Sequence, residues 1–413
     1  MRYKSKPRQS RIDPAVTRVL IATFAIVGFT VAGCDKVEGL VEDGKSLVNG
    51  EEPTVTETAP ATTPPQTIAI PEPVVPAGPS PEQIVEQFRS LQPHEITDGV
   101  LAQLAGSPEA AATITEINMS GAKVSANGLG ALSTLPNLES LNISNSRVGS
   151  DSLVAIGKSQ SLKTINFANS DANDRVVSEL SRIPHLQSLD LSGTQVTGGS
   201  ATGLGSMPEL IELSLSGTGA DDQVTAALAT LPIRSLDLSK SRITNASLPL
   251  LLKIATLEKL NVSFCRVTGE GFKGFGKSDI KDFSVGETAF GREGFKAIRG
   301  MKSLEHLNVY ATGLIQHKDC NVFKTFPNLK TLNAGKNGIG DPGVDVFFKG
   351  HKSLEELQLH HNKGITDNGL AALIGVKTLK LLDVSSTSCG AAGGQALKQK
   401  LPECTIRTSG GTF

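Results

Sequence analysis

One eleven-residue phrase recurs through most of this 413-residue chain and constrains its fold more than any other feature. In 186–196 it reads LQSLDLSGTQV, with apolar residues at positions one, four, six and eleven and a short polar residue at position nine. The phrase begins at Ile114, Leu138, Leu162, Leu186, Leu210, Ile233, Leu257, Ile280, Leu304, Leu329, Leu354 and Leu379, at intervals of 23 to 25 residues. Such a fixed period predicts one elongated solenoid that grows by adding coils, rather than several separate domains.

The phrase and its period resemble those of leucine-rich repeats, in which each repeat supplies a short strand, a tight turn and a returning helical segment. The resemblance implies an α/β fold, a leucine-rich-repeat solenoid of about 12 full repeats over 114–400. Its curved parallel sheet would form the concave side and its short helices the convex side. The absence of Trp and an aromatic content of 4% favour a narrow aliphatic core.

Helix-start signals precede the first repeat. Ser80, Pro81 and Gln83 supply an N-cap side chain, a proline at the first helical position and a capping-box side chain. We expect this helix, together with a half repeat that completes 80–113, to cover the open end of the solenoid. Without a cap the first coil would expose its apolar core.

The carboxyl-terminal end of the chain repeats the strand spacing once more. Leu401, Cys404 and Ile406 carry that spacing and predict a terminal edge strand within 401–413. The repeat pattern then stops, so 408–413 is expected to be a loose tail.

The first 33 residues have the pattern of an export signal. A basic stretch precedes the apolar run VLIATFAIVGFTVA, which as a helix would span only about 21 Å of a hydrocarbon core of about 30 Å. The last residues, Val31-Ala32-Gly33-Cys34, resemble the lipobox of bacterial lipoproteins. The resemblance implies that 1–33 is a signal peptide and that Cys34 becomes a lipid-modified amino terminus. An ordinary secretory signal or an uncleaved anchor is the alternative.

Residues 34–79 predict an acidic, disordered tether, because they are rich in Pro and Thr and too polar to bury a core. The lipobox resemblance implies that the protein is an exported lipoprotein, anchored in a membrane at its periplasmic or extracellular face. Asp35 after the lipid-bearing cysteine resembles an inner-membrane retention signal of Gram-negative lipoproteins.

Residues 35–82 hold nine acidic and two basic residues, whereas the chain after them is nearly neutral. A neutral repeat domain lacks the basic surface that nucleic acid requires, so no nucleic-acid partner is predicted.

We call the residues at one phrase position, taken across all repeats, a row. The ninth row reads Ala122, Ser146, Ser170, Thr194, Thr218, Ser241, Cys265, Thr288, Thr312, Asn337, Asn362 and Thr387. Short side chains with a hydrogen-bond donor at an inner corner can satisfy backbone carbonyls of their own and neighbouring coils. This row therefore predicts close stacking of the coils.

A second motif occurs after the strand phrase. Residues 365–370 read ITDNGL and 96–99 read ITDG. They resemble the I-T-D-x-G-L of the cysteine-containing leucine-rich repeats of F-box-type substrate adaptors. The resemblance implies the same architecture and a general role in protein recognition. Because Ser or Thr fills most of the ninth row and no F-box precedes the repeats, a role in degradation is not implied.

One complete nucleotide-binding motif is present, GFKGFGKS at 271–278. A phosphate loop requires a strand before it and a helix opening after it, but here a strand phrase follows the motif. The match also aligns with the corresponding residues of the next repeat, so sequence variation among the repeats explains it. We predict no cofactor, no metal site and no catalytic residues.

The cysteines follow from the register of the repeats. Cys265 lies in the ninth row, Cys389 in the eleventh row and Cys404 at a strand core position, so these three are predicted to be small buried residues. Cys320 lies in an irregular segment. No cysteine spacing indicates zinc, and no disulfide pair is predicted.

The solvent-facing side of the strands is the default binding surface of a solenoid. Its fifth row is mostly Asn, Asp and Ser, and its seventh row mostly Ser. Aromatic and imidazole side chains appear on this face only near the carboxyl-terminal end, and interface hot spots favour aromatic residues. The candidate binding residues are His306, Tyr310, Glu355, Glu356, Gln358 and His360, with His361 beside them. The alternative is that they are solvated rim residues.

These features predict a non-enzymatic, lipid-anchored binding scaffold of the cell envelope. The partner would be a protein or an envelope polymer, and the scaffold itself is expected to be monomeric. A self-associating structural envelope protein is one alternative. An enzyme with a site in the irregular repeats near 318–320 is another, but no set of acid, base and nucleophile supports it.

The lipobox resemblance makes a direct prediction. In bacteria grown with radiolabelled palmitate, the full chain should incorporate label and Cys34→Ala should not, because the acyl chains are attached through that cysteine. Cys320→Ala is the matched control and should label normally. Equal labelling of wild type and Cys34→Ala would exclude lipid modification at this residue.

Overall fold

The computed structural model describes residues 78–313 and 320–413, and of Cys320 only the backbone. Contacts divide the chain into Met1–Val74 and Val75–Phe413, and every described residue lies in the second unit. The predicted signal peptide at 1–33 lies outside the described residues. So does the predicted tether except for residues 78 and 79, which have no regular secondary structure.

Each repeat contributes one short strand to a single sheet of 14 strands. The strands are β1 (Glu116–Asn118), β2 (Ser140–Asn142), β3 (Thr164–Asn166), β4 (Ser188–Asp190), β5 (Glu212–Ser214), β6 (Ser235–Asp237), β7 (Lys259–Asn261), β8 (Asp282–Ser284), β9 (His306–Asn308), β10 (Thr331–Asn333), β11 (Glu356–Gln358), β12 (Leu381–Val384), β13 (Thr405–Thr408) and β14 (Gly411–Thr412). Strands β1 to β13 pair in chain order and in parallel, with the same phrase position opposite itself in successive repeats. The predicted leucine-rich-repeat solenoid is confirmed.

Short helices return the chain from each strand to the next. The α-helices are α1 (Pro81–Ser90), α2 (Asp98–Ala105), α3 (Pro108–Ala112), α4 (Ala126–Leu132), α5 (Ser150–Leu153), α6 (Asp174–Leu180), α7 (Ala201–Gly205), α8 (Asp222–Leu228), α9 (Leu248–Leu251), α10 (Gly291–Ile298), α11 (Asp341–Phe348), α12 (Asp367–Leu370) and α13 (Ala391–Lys400). Single 3-10 turns lie at Pro93–Glu95, Val154–Lys158, Gly198–Ser200, Gly269–Phe272, Phe275–Lys277, Cys320–Thr325 and Ala371–Gly375. The apolar residues of these segments pack against the strands in one continuous core.

The amino-terminal cap forms as predicted. The Gln83 N–H donates to Ser80 Oγ at 3.3 Å, and the Ser80 N–H donates to Gln83 Oε1 at 2.9 Å. This reciprocal pair is the capping box, and it satisfies backbone donors that the first turn of a helix leaves free. Ile84 and Phe88 on the same helix are buried and close the end of the core.

The carboxyl-terminal end differs from the prediction. The strand expected from Cys404 and Ile406 exists as β13, but 408–413 is not a loose tail. The chain reverses and pairs antiparallel as β14, with reciprocal backbone bonds of 3.1 and 2.9 Å between Ile406 and Phe413. An unpaired terminal strand would leave a row of backbone donors and acceptors open, and the hairpin covers part of it.

The tight turn after each strand has one repeated conformation. The eighth residue has a positive φ in all twelve repeats: Gly121, Asn145, Asn169, Gly193, Gly217, Lys240, Phe264, Glu287, Ala311, Lys336, His361 and Ser386. In the first eleven of them the N–H still donates to the seventh-position carbonyl of the next coil, at 2.7 to 3.1 Å. The left-handed residue therefore turns the chain without interrupting the bonding between coils. A residue other than glycine pays about 1–2 kcal/mol for this conformation.

The ninth row stacks the coils as predicted, in two ways. Threonines serve their own coil, as when Thr194 Oγ1 donates to the Leu191 carbonyl at 2.6 Å. Asparagines join coils, since Asn337 Nδ2 donates to the Val309 carbonyl of the preceding coil at 2.7 Å and the Asn337 N–H donates to Asn362 Oδ1 at 2.9 Å. These side chains are buried, and their hydrogen bonds satisfy backbone groups that the tight turn leaves without a backbone partner.

The ITDNGL motif has a physical role between coils. The N–H and hydroxyl of Thr366 donate to the two carboxylate oxygens of Asp341 in the preceding coil, both at 2.7 Å. Asp222 accepts from Thr244 in the same way, at 2.8 and 2.7 Å. Gly369 leaves room for the carboxylate, because a Cβ there would lie 2.3 Å from Asp341 Oδ1. The motif therefore joins successive helical segments and carries no partner specificity of its own.

The core is aliphatic in the first repeats and aromatic in the middle. A chain of phenylalanine rings in contact, with centroids 5.1 to 6.2 Å apart, runs through Phe272, Phe275, Phe283, Phe290, Phe295, Phe323, Phe347 and Phe348. The low overall aromatic content concealed this concentration. Two of these rings occupy the phosphate-loop match at 271–278, and the strand β8 follows it, so the segment is packed core.

The three predicted buried cysteines are buried and free. Cys265 Sγ donates to the Leu238 carbonyl of the preceding coil at 3.0 Å, in the manner of its row. Burial raises the pKa of Cys404 to about 11 and also raises the pKa values of Cys265 and Cys389. These thiols are therefore protonated at neutral pH and behave as small apolar residues.

The contact between Gly369 and Asp341 predicts a specific sensitivity. Gly369→Ala should lower the free energy of unfolding by about 1–3 kcal/mol, because the new methyl group displaces the carboxylate that bonds Thr366. Gly130→Ala is the matched control, since no atom lies within 4 Å of a Cβ built there. Chemical denaturation of both variants measures the difference. Equal stabilities would mean that the carboxylate moves without cost.

Candidate functional site

The solvent-facing side of the strands is acidic. Its third and fifth rows contain seven carboxylates, namely Glu116, Asp190, Glu212, Asp237, Asp282, Glu356 and Asp383, against the single cation Lys259. The fourth-position side chain of each strand points into the core, while those on either side of it are partly or fully exposed. A partner of this face therefore meets a surplus of negative charge.

Much of the fifth row is engaged by the fold itself. Asn142 Oδ1 accepts from the Ser144 N–H at 2.9 Å, and Asp237 Oδ1 accepts from the Ser239 N–H at 2.8 Å. The same contact, two residues ahead, recurs at Asn118, Asn166, Asp190, Asn261, Asn308, Asn333 and Asp383. These side chains shape the tight turn. The central polar row is therefore largely structural and is less available for binding than the sequence suggested.

The six predicted binding residues do not form one site. Glu355 lies in the second row, His306 and Glu356 in the third, and Gln358 in the fifth. Tyr310 and His360 lie in the seventh row, beyond the end of the strands, where side chains face the turn edge. The structure thus divides the patch into an ion pair, a polar depression and an aromatic pair.

Glu355 belongs to a row of alternating charge. The second row reads Arg234, Glu258, Lys281, Glu305, Lys330, Glu355 and Lys380 over seven consecutive coils. Neighbours are in contact at Lys281–Glu258 (2.9 Å), Lys330–Glu305 (2.5 Å) and Lys380–Glu355 (2.7 Å). The paired lysines lower the pKa values of the three glutamates, through hydrogen bonds first and charge second. Glu355 is therefore already held in an ion pair with Lys380.

The polar depression contains three of the predicted residues. His306, Glu356 and Gln358 line a shallow cavity of about 310 Å³, together with Asp282, Asn308, Thr331 and Asn333. His306 Nδ1 lies 2.7 Å from Thr331 Oγ1, so one ring nitrogen is already engaged. The lining offers carboxylates, amides and one imidazole nitrogen. No group of three or more His, Cys, Asp or Glu within 78–313 and 320–413 is arranged to hold a metal ion.

The aromatic pair joins two coils that are not adjacent, and the coil between them has glycine at the same position. The rings of Tyr310 and His360, two coils apart, have centroids 5.4 Å apart and are tilted by 32°. They meet because the intervening coil has Gly335 at the same position, where a Cβ would lie 2.9 Å from the His360 ring. Lys336 Nζ lies 5.7 Å from the Tyr310 ring centroid and 3.2 Å from a carboxylate oxygen of Glu287. Four coils thus contribute to one organised cluster at the turn edge.

His360 has an unusual proton environment. Burial lowers its pKa, Asp383 opposes this, and the neighbouring His361 lowers the pKa further. The Nδ1 atoms of His360 and His361 are 2.9 Å apart, so one of them must accept a hydrogen bond and only one can carry the proton between them. Burial and the neighbouring imidazole thus both disfavour the charged form of His360.

Sequence reasoning missed Lys336 and Glu287, which complete this cluster. They belong to the eighth row, whose residue types vary too much to show its common left-handed conformation. Reading the eighth row together with the seventh would have placed both beside Tyr310. In the part of the chain that the structure describes, no helix is long and apolar enough to cross a membrane.

The His360 environment predicts a pH dependence of stability. Because the folded state lowers this pKa, the unfolded state binds more protons below its ordinary value of about 6.5. Stability should therefore fall as pH decreases from 7.5 to 5.5, and His360→Gln should reduce that fall. His351, whose pKa is also lowered by burial, retains its own contribution. Urea midpoints at both pH values test this, with the exposed His94→Gln as control. An unchanged pH dependence in His360→Gln would contradict it.

Comparisons with known proteins agree with this geometry. A family model described as Leucine Rich repeat matches 134–157, 182–205, 253–276, 327–348 and 350–373. No curated protein matches the sequence at a significant level. An internalin of Listeria monocytogenes is similar in structure, with a TM-score of 0.53 and 18% identity over 79% of this chain and 93% of its own.

A chain of the yeast Rad7 and Elc1 complex is similar to the same degree. Its TM-score is 0.54 and its identity 16%, over 79% of this chain and 87% of its own. At these identities the likeness is one of fold alone. The chain therefore contains leucine-rich repeats, and its described residues fold as a leucine-rich-repeat solenoid.

Proposed function

We propose that this chain is a lipid-anchored, non-enzymatic scaffold of the cell envelope that binds a protein through its carboxyl-terminal coils. The fold supports the coarser part of this proposal, because solenoids of this kind present extended surfaces for protein recognition. The lipobox resemblance at Cys34 supports the anchor. An exported, membrane-held scaffold is the function that combines both.

The observation that carries the proposal is the cluster of Tyr310, Lys336, His360 and His361 beside the polar depression. None of these side chains is needed to close the turn, since that role belongs to the side chains of the fifth and ninth rows and to the backbone of the eighth. Their rings are preorganised by contacts between coils, which lowers the entropy cost of binding. Tyrosine is enriched among residues that dominate binding energy. His306, Glu356 and Gln358 add polar groups along the adjoining strands.

Two other functions remain as alternatives. A self-associating structural protein would use the same turn edge against a second copy. An envelope polymer could replace a protein as the ligand, because the depression is polar and shallow. An enzyme site near 318–320 would fall largely outside the described residues.

Cross-linking of the full chain in intact cells, followed by affinity purification and mass spectrometry, tests the binding site. Tyr310→Ala combined with His360→Ala should reduce recovery of the cross-linked partner by at least about tenfold, in line with the loss of two hot-spot side chains. Ser120→Ala combined with Ser144→Ala, at the same phrase position in the first two repeats, is the matched control. Unchanged partner recovery would exclude this cluster, and recovery of the chain alone would favour self-association.

A further inference from the structure

The turn of the seventh repeat exposes a side chain that the fold does not require. Phe264 is at the eighth position with φ of 60°, and 54% of its surface is exposed. Three other repeats have glycine at this position and two have asparagine, which adopt the left-handed conformation more readily. A bulky residue there is strained and leaves more than half of its surface exposed. Strain maintained at an exposed position is a reason to look for function.

Three exposed cations lie on this turn and on the turn before it. Lys240, at the same position of the preceding coil, holds its Nζ 5.4 Å from the Phe264 ring centroid. Arg242 and Arg266 lie two residues further along the two turns, which run side by side because the Lys240 N–H donates to the Ser263 carbonyl at 2.9 Å. All three cations are exposed, and none forms an ion pair within 4 Å with the residues that the structure describes.

The neighbouring carboxylates Asp237 and Glu287 have their hydrogen-bond and ion-pair partners elsewhere. Asp237 is engaged by the Ser239 N–H at 2.8 Å and by Asn261 Nδ2 at 3.1 Å. Glu287, on the next turn, pairs with Lys336 at 3.2 Å. The two turns therefore carry one exposed aromatic ring and three exposed cations that form no ion pair within 4 Å with the described residues.

We propose that Lys240, Arg242, Phe264 and Arg266, hereafter the turn surface, bind an acidic segment of a partner protein. Carboxylates of the segment pair with the guanidinium and ammonium groups, and one apolar side chain of the segment packs on Phe264. Arginine presents a planar fork of donors that matches a carboxylate, and arginine and aromatic residues are enriched at the centres of interfaces. This surface adjoins the turn that carries Glu287 but shares no residue with the cluster of Tyr310 and His360, so it is a second binding site.

The distribution of charged residues favours a narrow peptide segment over a membrane as the ligand of the turn surface. The adjoining strand face carries Asp190, Glu212 and Asp237, which would repel a broad anionic surface laid against this side. One exposed ring also offers little apolar area for insertion between lipids. An acidic segment can follow the two turns and avoid the acidic rows.

Selection from a library of short random peptides displayed on phage tests the proposal, with the full chain carrying Cys34→Ala as target. Enriched peptides should be rich in Asp and Glu and contain an apolar residue. Arg242→Glu combined with Arg266→Glu should weaken their binding by about tenfold or more, and binding should decrease as salt is raised. Arg147→Glu, an exposed arginine at the same phrase position in the second repeat, is the matched control and should bind normally.

A second variant separates binding from folding. Phe264→Asn, which places there the residue found at Asn145 and Asn169, should weaken peptide binding while raising the thermal midpoint, because it relieves the strained turn. A lower midpoint would mean that Phe264 serves the fold.

Enrichment of neutral or basic peptides, the absence of enrichment, or full binding by the double arginine variant would each overturn the proposal. Vesicles of phosphatidylcholine and phosphatidylserine, and oligothymidine, are offered in parallel. Binding to either one in place of acidic peptides, lost in the double arginine variant, would assign the turn surface to lipid or nucleic acid and also overturn it.

Discussion

The structure depends on one repeated hydrogen bond between coils. In the first eleven repeats the N–H of the eighth residue donates to the seventh-position carbonyl of the next coil, although the chain turns sharply at that residue. Only a left-handed conformation satisfies both demands, so all twelve repeats adopt it, nine of them without glycine. The conformational cost of these nine residues is recovered by the continuity of bonding from coil to coil. Everything at the turn edge is positioned by this arrangement.

Polar side chains complete the connection between coils at three levels. The ninth row bonds buried carbonyls, Asp341 and its counterparts bond threonines of the following coil, and the second row joins exposed charges of alternating sign. Each contact reaches only the next coil. The stability of a solenoid is then a sum of nearest-neighbour terms, which explains why variation in one repeat, such as the extra residue before Ile365, leaves its neighbours in register.

The solvent-facing side of the strands and the turn edge beyond their ends differ in chemistry. The strand face carries an acidic surplus, and much of its fifth row is committed to the turns. The turn edge carries rings and cations, at Phe264 with Lys240 and at Tyr310 with Lys336. Both rings occur in the second half of the solenoid, where the core is also aromatic. The exposed turn edge and the buried core thus both become aromatic in the second half, while the backbone pattern stays constant.

The sequence by itself determined the repeat, its register, the ninth row, the buried cysteines and the amino-terminal cap. Those features depend on local spacing, and because the strand of each coil bonds only to the strands of adjacent coils, local spacing is nearly sufficient to specify a solenoid. Only the tertiary structure decided which polar side chains are free. Glu355 is held in an ion pair, Tyr310 reaches His360 across Gly335, and 408–413 folds back on the last coil. Such contacts join residues one or two repeats apart, and their geometry depends on side-chain direction at a left-handed turn, which residue type alone does not show.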